Sequence, residues 1–172
     1  MKRSVTPAVS PDLNGRVAVV GGAGAPGQGV GNGRAAALLL AAAGANVVAV
    51  DRVEADGATT ASMIEADGGQ AMAIIGDVTN ADFCNHVLAA TIERFGPPTV
   101  LVNNVGIGAA GSIVDTEPEI WDRVLRVNVN SVYQMSRTIV PAMAEAGGGA
   151  IVNTGSISSL RPTGNTAYAT SK

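Results

Sequence analysis

Short apolar, β-branched runs alternate with longer helical stretches along this chain, and that alternation constrains the fold more than any other feature. Val17–Val20, Asn46–Val50, Ala71–Ile75, Thr99–Val102 and Ala150–Asn153 read as strands. Between them, Arg34–Ala43 is rich in Ala and Leu and stops at Gly44, and Glu54–Asp67 is closed by Gly68-Gly69. Asn80–Phe95 places Phe83, Val87, Leu88, Thr91, Ile92 and Phe95 on one helical face. Thr116-Glu-Pro-Glu119 has capping-box spacing with Pro118 in the first turn. It opens a helix expected to run to Ala146 with a kink at Pro141. A further helical turn starts at Thr166. Strands buried on both faces and joined by helices make an open parallel sheet covered on each side. The expectation is an α/β, doubly wound sheet of five strands in the order 3-2-1-4-5. Residues 1–14 read as a flexible arm and 15–172 as one domain without repeats or an internal linker.

Composition narrows the partners. The chain has 172 residues, 47% hydrophobic and 15% charged, which is too apolar for a disordered segment. A net charge of −3 and 3% aromatics leave neither a basic surplus nor stacking platforms for nucleic acid. The single cysteine, Cys84, excludes an internal disulfide framework, and with the single histidine, His86, it excludes the usual metal-ligand sets, so no metal is expected. On the Asn80–Phe95 helix, Cys84 falls on the apolar face and His86 opposite it, so they read as a buried thiol and a solvated imidazole. Ser4–Arg16 has no apolar core for a signal peptide, and Ala35–Ala43 is far short of a membrane span. A cytoplasmic protein with no membrane partner is expected.

In an open parallel sheet, ligands bind at the carboxyl ends of the strands, so the loops after each strand matter most. The first runs from Gly21 to Gly33 and is crowded with glycine. Such a turn at a helix N-terminus brings backbone N–H groups to a pyrophosphate. Two registers are open: Gly22-x-Gly24-x-x-Gly27 beside the strand, and Gly27-x-x-x-Gly31-x-Gly33, with Asn32 between its last two glycines, beside the helix. No Gly-Lys-Ser/Thr is present for a P-loop. After the second strand, Asp51 lies eighteen residues beyond Gly33, near the spacing of a ribose-binding carboxylate. A carboxylate there repels a 2′-phosphate and favours NAD over NADP, whereas the neighbouring Arg52 could hold that phosphate. After the third strand come Asp77 and Val78, where a carboxylate can accept from an adenine amino group. After the fourth comes Asn103-Asn104-Val105-Gly106, which fits a loop running close beside a ligand. After the fifth comes Ser156, and twelve residues later Tyr168-x-x-x-Lys172. A lysine one turn from a phenol favours the phenolate, which makes Tyr168 a candidate acid/base near neutral pH.

Taken in order, these residues resemble the short-chain dehydrogenase/reductase family. The resemblance covers Leu13 to Lys172: the Leu13–Val20 lead-in, Gly27-x-x-x-Gly31-x-Gly33, Asp77-Val78, Asn103-Asn-Val-Gly106, Val127-Asn128, Ile151–Ser156 and Tyr168-Ala-Thr-Ser-Lys172. It implies a Rossmann-type fold and hydride transfer between a nicotinamide cofactor and a small-molecule alcohol or ketone. It also implies roles. Tyr168 exchanges a proton with the substrate oxygen, and Lys172 lowers the tyrosine pKa and holds the nicotinamide ribose. Ser156 bonds the reacting oxygen, and Asn128 holds a water that links the lysine to solvent. Cofactor contacts fall on Gly22, Gly27, Gly31, Asn32, Gly33, Asp51, Arg52, Asp77, Val78, Asn104, Val105 and Gly106, together with Tyr168 and Lys172. A homo-oligomer is implied as well.

Two departures qualify the resemblance. Aligning Gly27 with the family's first glycine puts Pro26 at a threonine position and leaves about five extra residues after Val20. The sequence also stops at the Tyr-x-x-x-Lys motif, so a truncated member is expected, with adenosine-side binding kept and most hydride transfer lost. A nucleotide-binding fragment without turnover is therefore the second reading. A methyltransferase-like domain, which also pairs a Gly-rich turn with an acid after its second strand, is the third.

Overall fold

The computed structural model describes residues 12–161 and 164–172. Five parallel strands, β1 (Val17–Gly21), β2 (Asn46–Asp51), β3 (Ala71–Ile75), β4 (Val100–Asn103) and β5 (Ala150–Asn153), pair in the order β3-β2-β1-β4-β5. The helices are α1 (Asn32–Ala42), α2 (Glu54–Ala66), α3 (Ala81–Phe95), α4 (Pro118–Leu125), α5 (Ser131–Glu145) and α6 (Thr166–Ser171). This is the expected doubly wound Rossmann-type sheet.

Strand periodicity divides the core. Ala18 and Val20 of β1, with Val47 and Ala49 of β2, face Ala37 of α1 and Ala61 and Ile64 of α2. Val19, Val48, Val50 and Leu101 face the opposite way, against Cys84 and Val87 of α3 and Met135 and Ile139 of α5. The small side chains of the first layer let α1 and α2 approach the sheet closely. β5 departs from the expectation of burial on both faces: all four of its residues are exposed, Ile151 at 43% and Val152 at 52%. It pairs only with β4, and no helix packs closely on it among the described residues.

Helix ends show which local signals operate. Asn80 caps α3, its Oδ1 accepting from the Phe83 N–H at 3.1 Å. The capping box expected at Thr116 does not form. Glu117 is the residue before α4, and the Thr116 hydroxyl instead donates back to the Ser112 carbonyl at 2.7 Å. Pro118 does take the first helical turn. The long helix is not interrupted at Pro141, through which α5 continues to Glu145. Its irregularity is a π-helical turn at Arg126–Asn130, a form that recurs at functional sites. Of the arm expected over residues 1–14, residues 1–11 lie outside the described residues. Leu13 is bonded through its N–H to the Ala43 carbonyl and packs on the core.

Candidate active site

The carboxyl ends of β1, β2 and β4 open into a cleft of about 290 Å³. Gly22, Asp51, Arg52, Asp77 and Val78 line it from one side, and Asn104, Val105 and Gly106 from the other. Eight of the residues chosen from the sequence thus meet in one place. Gly24 of the strand-side glycine register and Val127 of the Val127-Asn128 step line it too, as does Ile107, which carries no sequence-based assignment.

The backbone decides between the two glycine registers. Gly22 has φ +70°, a conformation suited to glycine, and its N–H bonds the Val50 carbonyl at 2.8 Å. A side chain on Gly33 would collide with the Gly22 carbonyl oxygen and come within 2.6 Å of Asn104 Nδ2. Gly22 and Gly33 are therefore the pair that brings α1 against the end of β1, and the extra residues bulge out between them. Gly31 precedes α1 and Asn32 opens it, exposed. Gly27 lies on the exposed bulge with open space where a Cβ would stand, and it does not line the cleft. The register that starts at Gly27 is corrected accordingly: Gly22 takes the first position, and Pro26 belongs to the bulge.

Asp51 is held from two sides. Its Oδ2 accepts from the Gly24 N–H at 2.8 Å and its Oδ1 from the Val53 N–H at 2.9 Å. Each oxygen keeps a further lone pair for a ligand hydroxyl. A side chain at Gly24 would sit 2.7 Å from Asp51 Oδ2, so glycine is required there. Asp77 accepts from the Thr79 N–H at 2.9 Å, and buried Val78 receives the Cys84 thiol on its carbonyl at 3.3 Å. Asn104 pins the β1 end, donating to the Gly22 carbonyl at 3.0 Å. Asn103 ties β4 to β5 by donating to Asn153 Oδ1 at 2.9 Å.

The π turn, whose Val127 lines the cleft, also carries Asn128, which is buried. Its Oδ1 accepts from the Ile107 N–H at 2.7 Å. Its Nδ2 donates to the Ile107 carbonyl at 3.0 Å and to Ser171 Oγ at 2.7 Å. One carboxamide thereby joins the loop after β4 to α6. Lys172 caps α6, and its Nζ donates to the carbonyls of Val105 (3.2 Å) and Thr154 (3.3 Å), just beyond β4 and β5. Burial lowers its pKa. Gly106 makes room for it, since a Cβ there would lie 2.8 Å from Nζ. Tyr168 sits one helical turn before Lys172, with its carbonyl accepting from Ser171 Oγ. Ser156 Oγ accepts from the Ser158 N–H at 3.1 Å and keeps its own proton to donate. Among the described residues, no hydrogen bond joins the Tyr168 hydroxyl to Ser156 or Lys172. Cys84 and His86 stay outside the site. Cys84 is buried with its pKa raised to about 11, first by desolvation and then by Asp77, and His86 is exposed.

Glycines stand where backbone comes close at the cleft, the Asp51 carboxylate lies at the end of β2, and the Lys172 ammonium lies behind Gly106. The family model for short chain dehydrogenase matches residues 16–172. An oxidoreductase described as uncharacterized, from Thermotoga maritima, is 37% identical over 149 residues, covering 87% of this chain and 57% of its own. A short chain dehydrogenase from Mycobacterium smegmatis superposes with a TM-score of 0.86 at 33% identity, covering 94% of this chain and 67% of its own. A 7α-hydroxysteroid dehydrogenase complexed with NADH and 7-oxo glycochenodeoxycholic acid gives 0.85 at 32% identity, covering 92% and 60%. The chain thus spans just over half the length of the Thermotoga relative. The matched span takes in the glycine turn, the cleft and the Tyr-x-x-x-Lys turn together, and the chain belongs to the short-chain dehydrogenase family.

Proposed function

We propose that the protein is an oxidoreductase that moves a hydride between NAD(H) and the carbon of a small-molecule alcohol or ketone. The observation that carries this reading is the placing of Lys172. A half-buried ammonium is bonded to two strand-end carbonyls, faces Gly106 at the cleft, and lies one turn from Tyr168. The nicotinamide supplies the hydride, and the protein orients and polarises.

Tyr168, one helical turn from Lys172, is the acid/base at the substrate oxygen. Ser156 donates to the same oxygen. Lys172 faces the nicotinamide ribose, and Asn128 fixes the wall behind it. At the adenosine end, Asp51 accepts from the ribose hydroxyls and Asp77 from the adenine amino group, while Gly22, Gly31, Asn32 and Gly33 shape the pyrophosphate turn. The NADH-bound state of the 7α-hydroxysteroid dehydrogenase supports the choice of cofactor. Asp51 supports NAD(H) over NADP(H), although Arg52 also lines the cleft.

Fluorescence enhancement of NADH on mixing tests the binding step, and NADH oxidation with a panel of ketones tests the reaction. Tyr168→Phe should remove turnover while most NADH binding, carried by the adenosine side, persists. Absence of NADH binding, or turnover indifferent to Tyr168→Phe, would sink the reading. Binding without turnover in the unsubstituted chain would favour a nucleotide-binding role.

A further inference from the structure

Among the described residues, Arg34 is the one charged side chain that is fully buried, at 0% exposure. All five of its guanidinium protons have acceptors, and every acceptor is neutral. Nε donates to Thr60 Oγ1 at 2.9 Å. Nη1 donates to the carbonyls of Gly27 (2.7 Å) and Gly29 (2.5 Å), and Nη2 to those of Ala25 (2.7 Å) and Asp56 (3.1 Å). Thr60, itself buried, offers its hydroxyl to the Ala23 carbonyl at 2.9 Å. The alternate carbonyls of Ala23, Ala25, Gly27 and Gly29 are therefore all turned inward onto one arginine–threonine pair. A bulge with little apolar surface of its own is held together by this polar centre.

The inward turn has a directional consequence. In a trans peptide the N–H points opposite to the C=O. No peptide bond in the described chain is cis. The plane that sends the Ala23 carbonyl to Thr60 sends the Gly24 N–H the other way, onto Asp51 Oδ2 at 2.8 Å. We propose that Arg34, acting with Thr60, is a positioning residue for cofactor selection: it freezes the enlarged glycine loop so that Gly24 aims the Asp51 carboxylate. The proposal rests on the dinucleotide reading above and adds the element that sets its selectivity. Lysine, with a single compact ammonium, cannot span five acceptors on two segments, the glycine loop and α2.

Arg34→Met, Arg34→Lys and the milder Thr60→Val would be compared with the unsubstituted protein in two measurements. The first is hydrogen exchange of the peptide spanning residues 22–31. The second is the ratio of dissociation constants for NADPH and NADH. Exchange should accelerate in all three variants, most in Arg34→Met. The ratio should fall about tenfold in Arg34→Met, the scale of one lost charge-assisted hydrogen bond. Arg34→Lys should recover part of that loss. A role confined to stability would weaken both cofactors equally, and an unchanged ratio would overturn the proposal, as would unchanged exchange. Should Arg34→Met fail to fold, Thr60→Val carries the same two readouts with a smaller expected change. An unsubstituted protein that binds neither dinucleotide would overturn the cofactor reading and the selectivity role together. The exchange comparison would then decide the ordering role alone.

Discussion

Asp51 holds the loop and, on the proposed reading, also selects the cofactor, so one substitution removes two roles that two measurements tell apart. Removing its carboxylate takes away the acceptor for the Gly24 and Val53 amides and, on that reading, the repulsion of a 2′-phosphate. Asp51→Ala should therefore bring the NADH and NADPH dissociation constants together by about tenfold or more, with a stability loss of about 1 kcal/mol. Titration of both cofactors and a denaturant melt check the two effects independently. Cys84 gives a second residue-scale test. Its pKa of about 11 against a usual 9.0 leaves roughly fiftyfold less thiolate at pH 9 than in an unfolded chain. Because the thiol is also fully buried, alkylation of native protein at that pH should lag the denatured control by at least that factor; matching rates would show the helix face open. The sign for stability follows. Between pH 9 and 11 the unfolded chain loses this proton first, so Cys84 makes stability fall as pH rises through that window. At this scale the sequence was legible wherever chemistry and position coincide, as at Asp51, Asn104 and Lys172. It was silent on Arg34, whose signal was a lone charge on the buried stripe of α1 beside Gly33 and Ala37. Only the folded loop shows five acceptors waiting for the guanidinium.

Elements show where local rules were overruled. Asn80 caps α3 although the sequence reading only began the helix there, and Asn80→Ala should cost about 1 kcal/mol in a denaturant melt, with cofactor binding untouched. At Thr116 the same kind of signal fails, because the hydroxyl finds the Ser112 carbonyl one turn back before it can reach α4. The π turn that presents Asn128 was not legible. No single residue encodes an inserted position, and what sustains it is the paired bonding of Asn128 to Ile107, on a distant loop. The glycine register was ambiguous for a similar reason. Spacing alone allowed Gly27, whereas contact between Gly22 and Gly33 across the bulge selects the residue beside the strand. Gly106→Ala tests the far end of the cleft. A methyl there enters the space of Lys172 Nζ, so it should displace the ammonium and cut turnover strongly while ADP-ribose still binds.

The whole molecule follows from its strand–helix alternation because each crossover places the next strand parallel to the last, and the order β3-β2-β1-β4-β5 results. The alternation could not show which strands are covered. Among the described residues, β5 presents Ile151 and Val152 to solvent and pairs along one edge only, while Val129, Tyr133 and Val140 stand exposed on the π turn and α5. An uncovered apolar strand with a free edge is a template for pairing with another chain. A net charge of −3 offers little repulsion against that approach. We expect the 172-residue chain to self-associate as its concentration rises, with the sedimentation coefficient increasing and solubility falling. Val152→Lys places an ammonium on this edge strand, on a side chain already 52% exposed, and disturbs no described core residue. It should shift the distribution toward monomer and leave NADH affinity as it was, since β5 does not line the cleft. A chain that sediments as a monomer at high concentration would refute this expectation, as would self-association that Val152→Lys leaves unchanged.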